Sequence, residues 1–204
     1  MIIVVEGPSA AGKSTWIATH CRPATVISEA PAGPAPDAAV DPEGAAAHWA
    51  AISAARWRAA SQADQRTGLA VCDTDPLKLH YVWSLWRTGH ASRRQWHAEL
   101  TAIRQLFAQH RLGLADLILI EIPDPGTLAA RRRADPTRRR RNFDLHTQLA
   151  GPLRDWYHAV EQLDPARVRW ELPATGIPSI TPGPRRDRTG TGAFDALISH
   201  LPAH

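Results

Sequence analysis

The chain has 204 residues, 44% of them hydrophobic and 22% charged, with a formal charge of +4. That is the size and balance of about one soluble domain, able to bury a central sheet without disulfides or a structural metal. No run of eighteen apolar residues exists, which excludes a transmembrane helix. The N-terminal segment has no basic leader, and Cys21 and Cys72 belong to no ligand pattern, so a reducing cytoplasmic location is expected.

Residues 1–5 are an apolar, largely β-branched run and predict a strand buried on both faces. Residues 7–14 follow as a glycine-bounded loop. Residues 13–20 predict a short helix that ends before Pro23. A second short strand is expected over 24–28, then a Pro/Ala/Gly-rich loop over 30–42. Asp41 caps a helix with Pro42 at its first position, running to about Arg66 and stopping at Gly68. A third buried strand over 69–72 ends at Asp73-Thr74-Asp75. Asp75 is expected to cap the next helix, with Pro76 at its first position and an end near Thr88. Ser92 and Gln95 fit a capping box, and Trp96, Leu100, Ile103 and Phe107 of that helix share one face. Residues 117–122 predict a fourth strand, and Asp124-Pro125 start a helix that enters an arginine-dense segment. A helix over 145–163 is expected to kink at Gly151-Pro152. A fifth strand over 168–172, a Pro/Gly-rich loop over 173–192 and a helix over 194–201 complete the chain. Strands alternate with helices, which predicts one α/β domain over 1–204: a five-stranded, mostly parallel sheet with helices on both faces. Ligands are expected at the carboxyl ends of its strands.

The charge is concentrated. Residues 131–141 hold seven arginines and one aspartate, a local +6 that leaves −2 for the rest of the chain. A nucleic-acid-binding face would spread positive charge over several elements, whereas one dense segment suits a small polyanion such as a nucleoside triphosphate. A solvated helix end or an RNA-binding patch is the plainer alternative.

Residues 7–14, Gly-Pro-Ser-Ala-Ala-Gly-Lys-Ser, match G-x4-G-K-[ST] directly after a buried strand and at the opening of a helix. Gly7 and Gly12 permit the backbone angles that turn successive amides, including those of Ala10 and Ala11, toward one anion. The helix N-terminus adds a partial positive charge. Lys13 can reach the β- and γ-phosphates of ATP, the Ser14 hydroxyl can ligate Mg²⁺, and Thr15 either bonds the α-phosphate or is an ordinary first-turn residue. No N/T-K-x-D guanine motif, no LSGGQ and no Asp-Glu pair after the fourth strand is present. GTPases, ABC ATPases and motors are thereby disfavoured, which leaves a small phosphotransferase.

The sequence resembles the P-loop kinases of the thymidylate kinase and deoxynucleoside kinase group. The phosphate loop, Ser28-Glu29-Ala30-Pro31, Asp73-Thr74-Asp75 and the arginine-rich segment carry the resemblance, which spans residues 1 to about 165. Ala30 is an insertion in that group's Glu-Pro-type motif, and Thr74 stands where the group has arginine. The resemblance implies Mg-ATP-dependent phosphoryl transfer to a hydroxyl of a nucleoside-like compound or a nucleoside monophosphate. It implies a base role for Glu29 and a lid in which an early arginine, Arg131, packs on adenine while later ones clamp phosphates. Arg132, Arg138 and Arg140 are the candidates for that clamp. It also places the 173–192 loop beside the adenine.

Asp73 is a candidate for the Mg²⁺ shell or the base, and Asp75 for a helix cap or an acceptor contact. Trp49 and Trp83, with Trp57 and Trp86, either wall an acceptor pocket or pack the core. His80 and Tyr81 lie about one helical turn after Asp75 and either face that pocket or the helix surface. No HxH or HExxH spacing occurs among the ten histidines, which argues against a zinc hydrolase. The partner expected is a small-molecule acceptor, not a membrane or a nucleic acid, and a homodimer is compatible with the chain. An antibiotic-modifying O-phosphotransferase is the alternative within the class. A non-catalytic ATP-binding switch that binds RNA or protein is the alternative outside it.

Overall fold

The computed structural model describes residues 1–29, 33–134, 143–179 and 187–203. The elements run β1 (Ile2–Glu6), α1 (Lys13–His20), β2 (Val26–Ile27), α2 (Pro42–Thr67), β3 (Ala70–Asp73), α3 (Leu79–Arg87), α4 (Arg93–Ala108), β4 (Leu117–Ile120), α5 (Pro125–Ala134), α6 (Phe143–Gln148), α7 (Ala150–Leu163), β5 (Val168–Arg169) and α8 (Thr191–His200). The five strands form one sheet in the order β2-β3-β1-β4-β5, and every pairing is parallel. Val5 pairs with Asp73 and Glu6 with Ile120, so β1, β3 and β4 end at one level.

Strand periodicity sorts β1 into two cores. Ile2 and Val4 pack with Trp57, Trp83, Phe107, Trp156 and Phe194 beneath α2, α3, α4, α7 and α8. Ile3 and Val5 pack with Trp16 and Ile17 of α1 in a smaller cluster. Both faces of the sheet are therefore covered, as an all-parallel sheet requires.

The capping chemistry forms as its residue types predict. The Asp41 side chain accepts from the Gly44 amide at 2.8 Å, and Gly68 ends α2 in the left-handed region at φ 77°. Ser92 and Gln95 form a complete capping box.

Several boundaries differ from the sequence expectation, among them the end of β4 and the start of α8. Residues 23–25 are a 3-10 turn, tied by the Thr25 amide and hydroxyl to the Arg22 carbonyl, so β2 keeps only two residues. The helix after β3 starts at Leu79, because the Asp75 carboxylate takes the Leu77 amide at 2.9 Å and closes a local turn instead of a cap. The expected kink is a break at Leu149 between α6 and α7. Pro152 lies in the first turn of α7, where its missing N–H goes unneeded. At the sheet edge β5 has two residues; Trp170 leaves the ladder and donates to the Glu161 carboxylate at 3.1 Å.

Glu99 lies beside the buried face of α4, and burial pushes its carboxyl up to about 7. Its unfolded value is about 4.3. The folded state therefore binds the proton more tightly, so this stabilising term is full below about pH 4 and is lost as pH rises through about 7. In urea titrations from about pH 5 to about pH 8, Glu99→Gln is expected to flatten that decline and to exceed the parent chain in stability at the upper end. Parallel profiles would remove Glu99 as the source.

Candidate functional site

The loop after β1 turns back at the carboxyl edge of the sheet. Gly7, Ala10 and Gly12 take φ values of 145°, 73° and 99°. A Cβ on Gly7 would stand 2.3 Å from the Glu121 carbonyl oxygen, so only glycine fits there. Gly12 is the N-cap of α1 and supplies no side-chain acceptor, which leaves the first-turn amides of α1 free of a capping side chain. Lys13 folds over this loop and donates from Nζ to the carbonyls of Gly7 at 2.5 Å and Pro8 at 3.3 Å. An uncapped helix start ringed by a glycine loop with a lysine at its mouth fits a phosphate chain.

Ser14 Oγ donates to Asp73 Oδ2 at 3.2 Å, joining the start of α1 to the end of β3. A hydroxyl and a carboxylate side by side are hard oxygen donors suited to Mg²⁺, which takes few protein ligands when phosphate supplies the others. Burial holds the Asp73 carboxyl above its ordinary range, against the opposing pull of Lys13 and Ser14. Thr15 is exposed on the first turn of α1.

Behind the loop, Glu6 is 3% exposed. Its Oε1 accepts from the Gly7 amide and its Oε2 from the Asp75 amide, both at 2.9 Å. Burial pushes this carboxyl up, but His80, Lys13 and the two amides together hold it below its ordinary range. Asp75 is buried too and is pushed up to about 7, by burial first and then by the charge of Glu6. The Tyr157 hydroxyl donates to Asp75 Oδ2 at 3.3 Å. His80 is 6% exposed, and its Nδ1 lies 3.0 Å from the Leu77 carbonyl; burial holds the imidazole below its usual range, against the opposing charge of Glu6.

Asp75 and His80 are therefore buried beneath the site. Trp83 is likewise 1% exposed and packs on Trp156 at 5.9 Å between ring centroids, because the apolar stripe of α3 faces inward. Trp49 is half-buried on α2 and meets the ring of His48 edge-on at 5.1 Å.

The outer side of the site is charged. Glu29 forms an ion pair with Lys78, and its charge acts on both Asp73 and Tyr81. Tyr81 is met edge-on by His146 of α6 at 5.9 Å. Burial lowers the imidazole of His146, and the charge of Lys13 lowers it further. Tyr81 thus lies in this region, and Lys78 and His146 join it without a motif to announce them.

On the third side, Arg131 Nη1 donates to the Ala11 carbonyl at 2.7 Å, and its guanidinium pairs with Glu121 at 3.3 Å. Arg131, the first arginine of the dense segment, therefore rests on the glycine-bounded loop. Arg132 turns to Asp144 at 3.2 Å and lies 4.6 Å over the Phe143 ring, pinning α5 to α6. Arg138 and Arg140 lie outside the described residues. At the start of the 173–192 loop the Pro173 carbonyl meets α1, accepting from Trp16 Nε1 at 2.8 Å, while Arg188 near its end is held by Asp64 and Asp116.

Sequence reasoning missed Glu6, Arg56 and Glu121. Glu6 had a signal, a carboxylate closing an otherwise apolar strand. Arg56 had a fainter one, a lone cation at a buried position of α2. Its guanidinium donates to the carbonyls of Ser28, Asp73, Thr74 and Asp75.

No protein-family model matches the chain, and no curated protein matches it in sequence. Among solved structures it is similar to deoxyadenosine kinase from M. mycoides with bound dATP. The TM-score is 0.51 at 12% identity, over 83% of this chain and 89% of that one. The resemblance to P-loop deoxynucleoside kinases is thus one of three-dimensional fold, an α/β sheet of five parallel strands flanked by helices. No helix among the described residues is long and apolar enough to cross a membrane.

The Gly7 contact yields a direct expectation. Gly7→Ala forces a Cβ against backbone in a left-handed conformation, and should destabilise the fold by about 1–3 kcal/mol in urea titrations. A variant as stable as the parent chain would show that the loop can retreat from Glu121.

Proposed function

We propose that the protein is a Mg-ATP-dependent kinase that moves the γ-phosphoryl group to a hydroxyl of a nucleoside-like small molecule or a nucleoside monophosphate. The observation that carries this reading is the convergence of Lys13, Ser14 and Asp73 on one side of the sheet edge with Glu29, Lys78 and Tyr81 on the other. Both sides meet at the carboxyl ends of parallel strands, where α/β folds bind ligands.

Two carboxylates divide the work by position. Asp73 is tied to Ser14 and lies beside Lys13, on the phosphate side. Bound there, Mg²⁺ would neutralise charge on the β- and γ-phosphate oxygens. Glu29 is exposed and oriented by Lys78 on the acceptor side. In the transfer the acceptor oxygen bonds to the γ-phosphorus, the bond from that phosphorus to the β-bridging oxygen breaks, and ADP leaves. Glu29 takes the acceptor proton. Lys13 and Arg131 neutralise charge on the phosphate oxygens, which requires Arg131 to release Ala11 and Glu121. Tyr81 and His146 offer ring surfaces to a flat or sugar-like acceptor. The thiols of Cys21 and Cys72 are free, which suits a reducing cytoplasm.

ADP release from Mg-ATP across nucleosides, nucleoside monophosphates and hydroxylated antibiotics tests the reading. An acceptor in this panel should stimulate release and appear as a phosphorylated product. Lys13→Ala should lower kcat/KM by about 10²–10³ with an unchanged melting curve, and Glu29→Gln should lower kcat more than it raises KM. ATP binding without stimulation by any acceptor, or full turnover in Lys13→Ala, would defeat the kinase reading.

A further inference from the structure

We propose that Arg56 is the positioning residue of this site, setting both of its carboxylates through the backbone and never touching substrate. The inference rests on the kinase reading for its consequence, but its geometry stands apart. Arg56 is 6% exposed on α2. Its Nε donates to the Ser28 carbonyl at 3.2 Å. Its Nη1 donates to the Asp75 carbonyl at 3.3 Å, and its Nη2 to the carbonyls of Asp73 at 2.5 Å and Thr74 at 2.9 Å. One planar fork therefore gathers the turn after β3 and the residue before Glu29.

That turn needs holding. Thr74 has a φ of 64°, a left-handed conformation that a β-branched residue resists. Its Oγ1 is buried with no hydrogen-bond partner among the described residues. Its amide donates to the Val5 carbonyl at 3.1 Å, and Asp75 donates to Glu6 on the other flank. The strained peptide is thus clamped from both sides, and the clamp aims Asp73 at Ser14. A lysine at 56 would keep the charge, but a point donor cannot span four carbonyls.

The test reads Mg²⁺ linkage rather than turnover. N-methylanthraniloyl-ATP is titrated into the full chain in EDTA and across a Mg²⁺ series, beside thermal melts. Arg56→Lys should bind the nucleotide in EDTA within about twofold of the parent chain. Its Mg²⁺ midpoint should rise about 10–100-fold, as when a partner that orients a metal ligand is lost, and Asp73→Asn should do the same. Thr74→Gly removes the left-handed strain, so in that background the Arg56→Lys effect should shrink. If Arg56→Lys alone gives no cooperative melt, the Thr74→Gly background should restore folding. An unchanged Mg²⁺ midpoint, a parallel loss of EDTA binding and melting temperature, or no recovery with Thr74→Gly would overturn the proposal. Acceptor-independent ATP chemistry in the parent chain would sink the kinase reading alone and leave this binding test standing.

Discussion

The site depends first on one buried carboxylate. Glu6 closes the central strand at 3% exposure, where an unpaired charge would cost several kcal/mol. Against the pull of burial, His80, Lys13 and the Gly7 and Asp75 amides hold its carboxyl below the ordinary range. Through those two amides Glu6 stitches the exit of β1 to the exit of β3. The phosphate loop and the Asp73–Asp75 turn therefore leave the sheet at the same height, which lets Ser14 and Asp73 meet.

Strain collects at that edge. Among the described residues only Ala10, Thr74 and His110 are non-glycines with positive φ, and the first two belong to the site. Both lie where the chain must reverse within a few residues to aim amides or carboxylates at a common point. The surrounding contacts hold them there: the Gly7–Glu121 approach below Ala10, and the Arg56 fork around Thr74.

The opposite edge of the sheet is locked differently. Arg188, in the turn before α8, pairs with Asp64 of α2 at 2.8 Å and with both oxygens of Asp116, and Asp116 in turn accepts from the Ile2 amide at 2.7 Å. Burial opposes ionisation of Asp64, yet Arg188 and the terminal ammonium hold its carboxyl below the ordinary range. α2, α8 and β1 are thus tied at the amino edge, whereas α5 and α6 lie at the carboxyl edge. There the contacts are exposed ion pairs of Arg131 and Arg132, which are weak and easily exchanged.

The sequence by itself determined the elements whose cause is local. The apolar run of β1, the Asp41 and Ser92 caps, the Gly68 stop and the glycine-bounded loop with Lys13 and Ser14 are set by residues a few positions apart, and they form as those residues require. Tertiary structure decided what hangs on contacts between distant segments. Asp75 became a buried acid under Glu6 and not a cap, because the two groups are 69 residues apart in sequence and adjacent only across the sheet. Trp83 and His80 turned inward because α7 delivers Trp156 and Tyr157 against α3. Arg56, Lys78 and His146 sit in no motif. Their roles exist only because parallel strand order brings the ends of β2 and β3 to one edge and folds α2 and α6 beside them, a juxtaposition that no local pattern encodes.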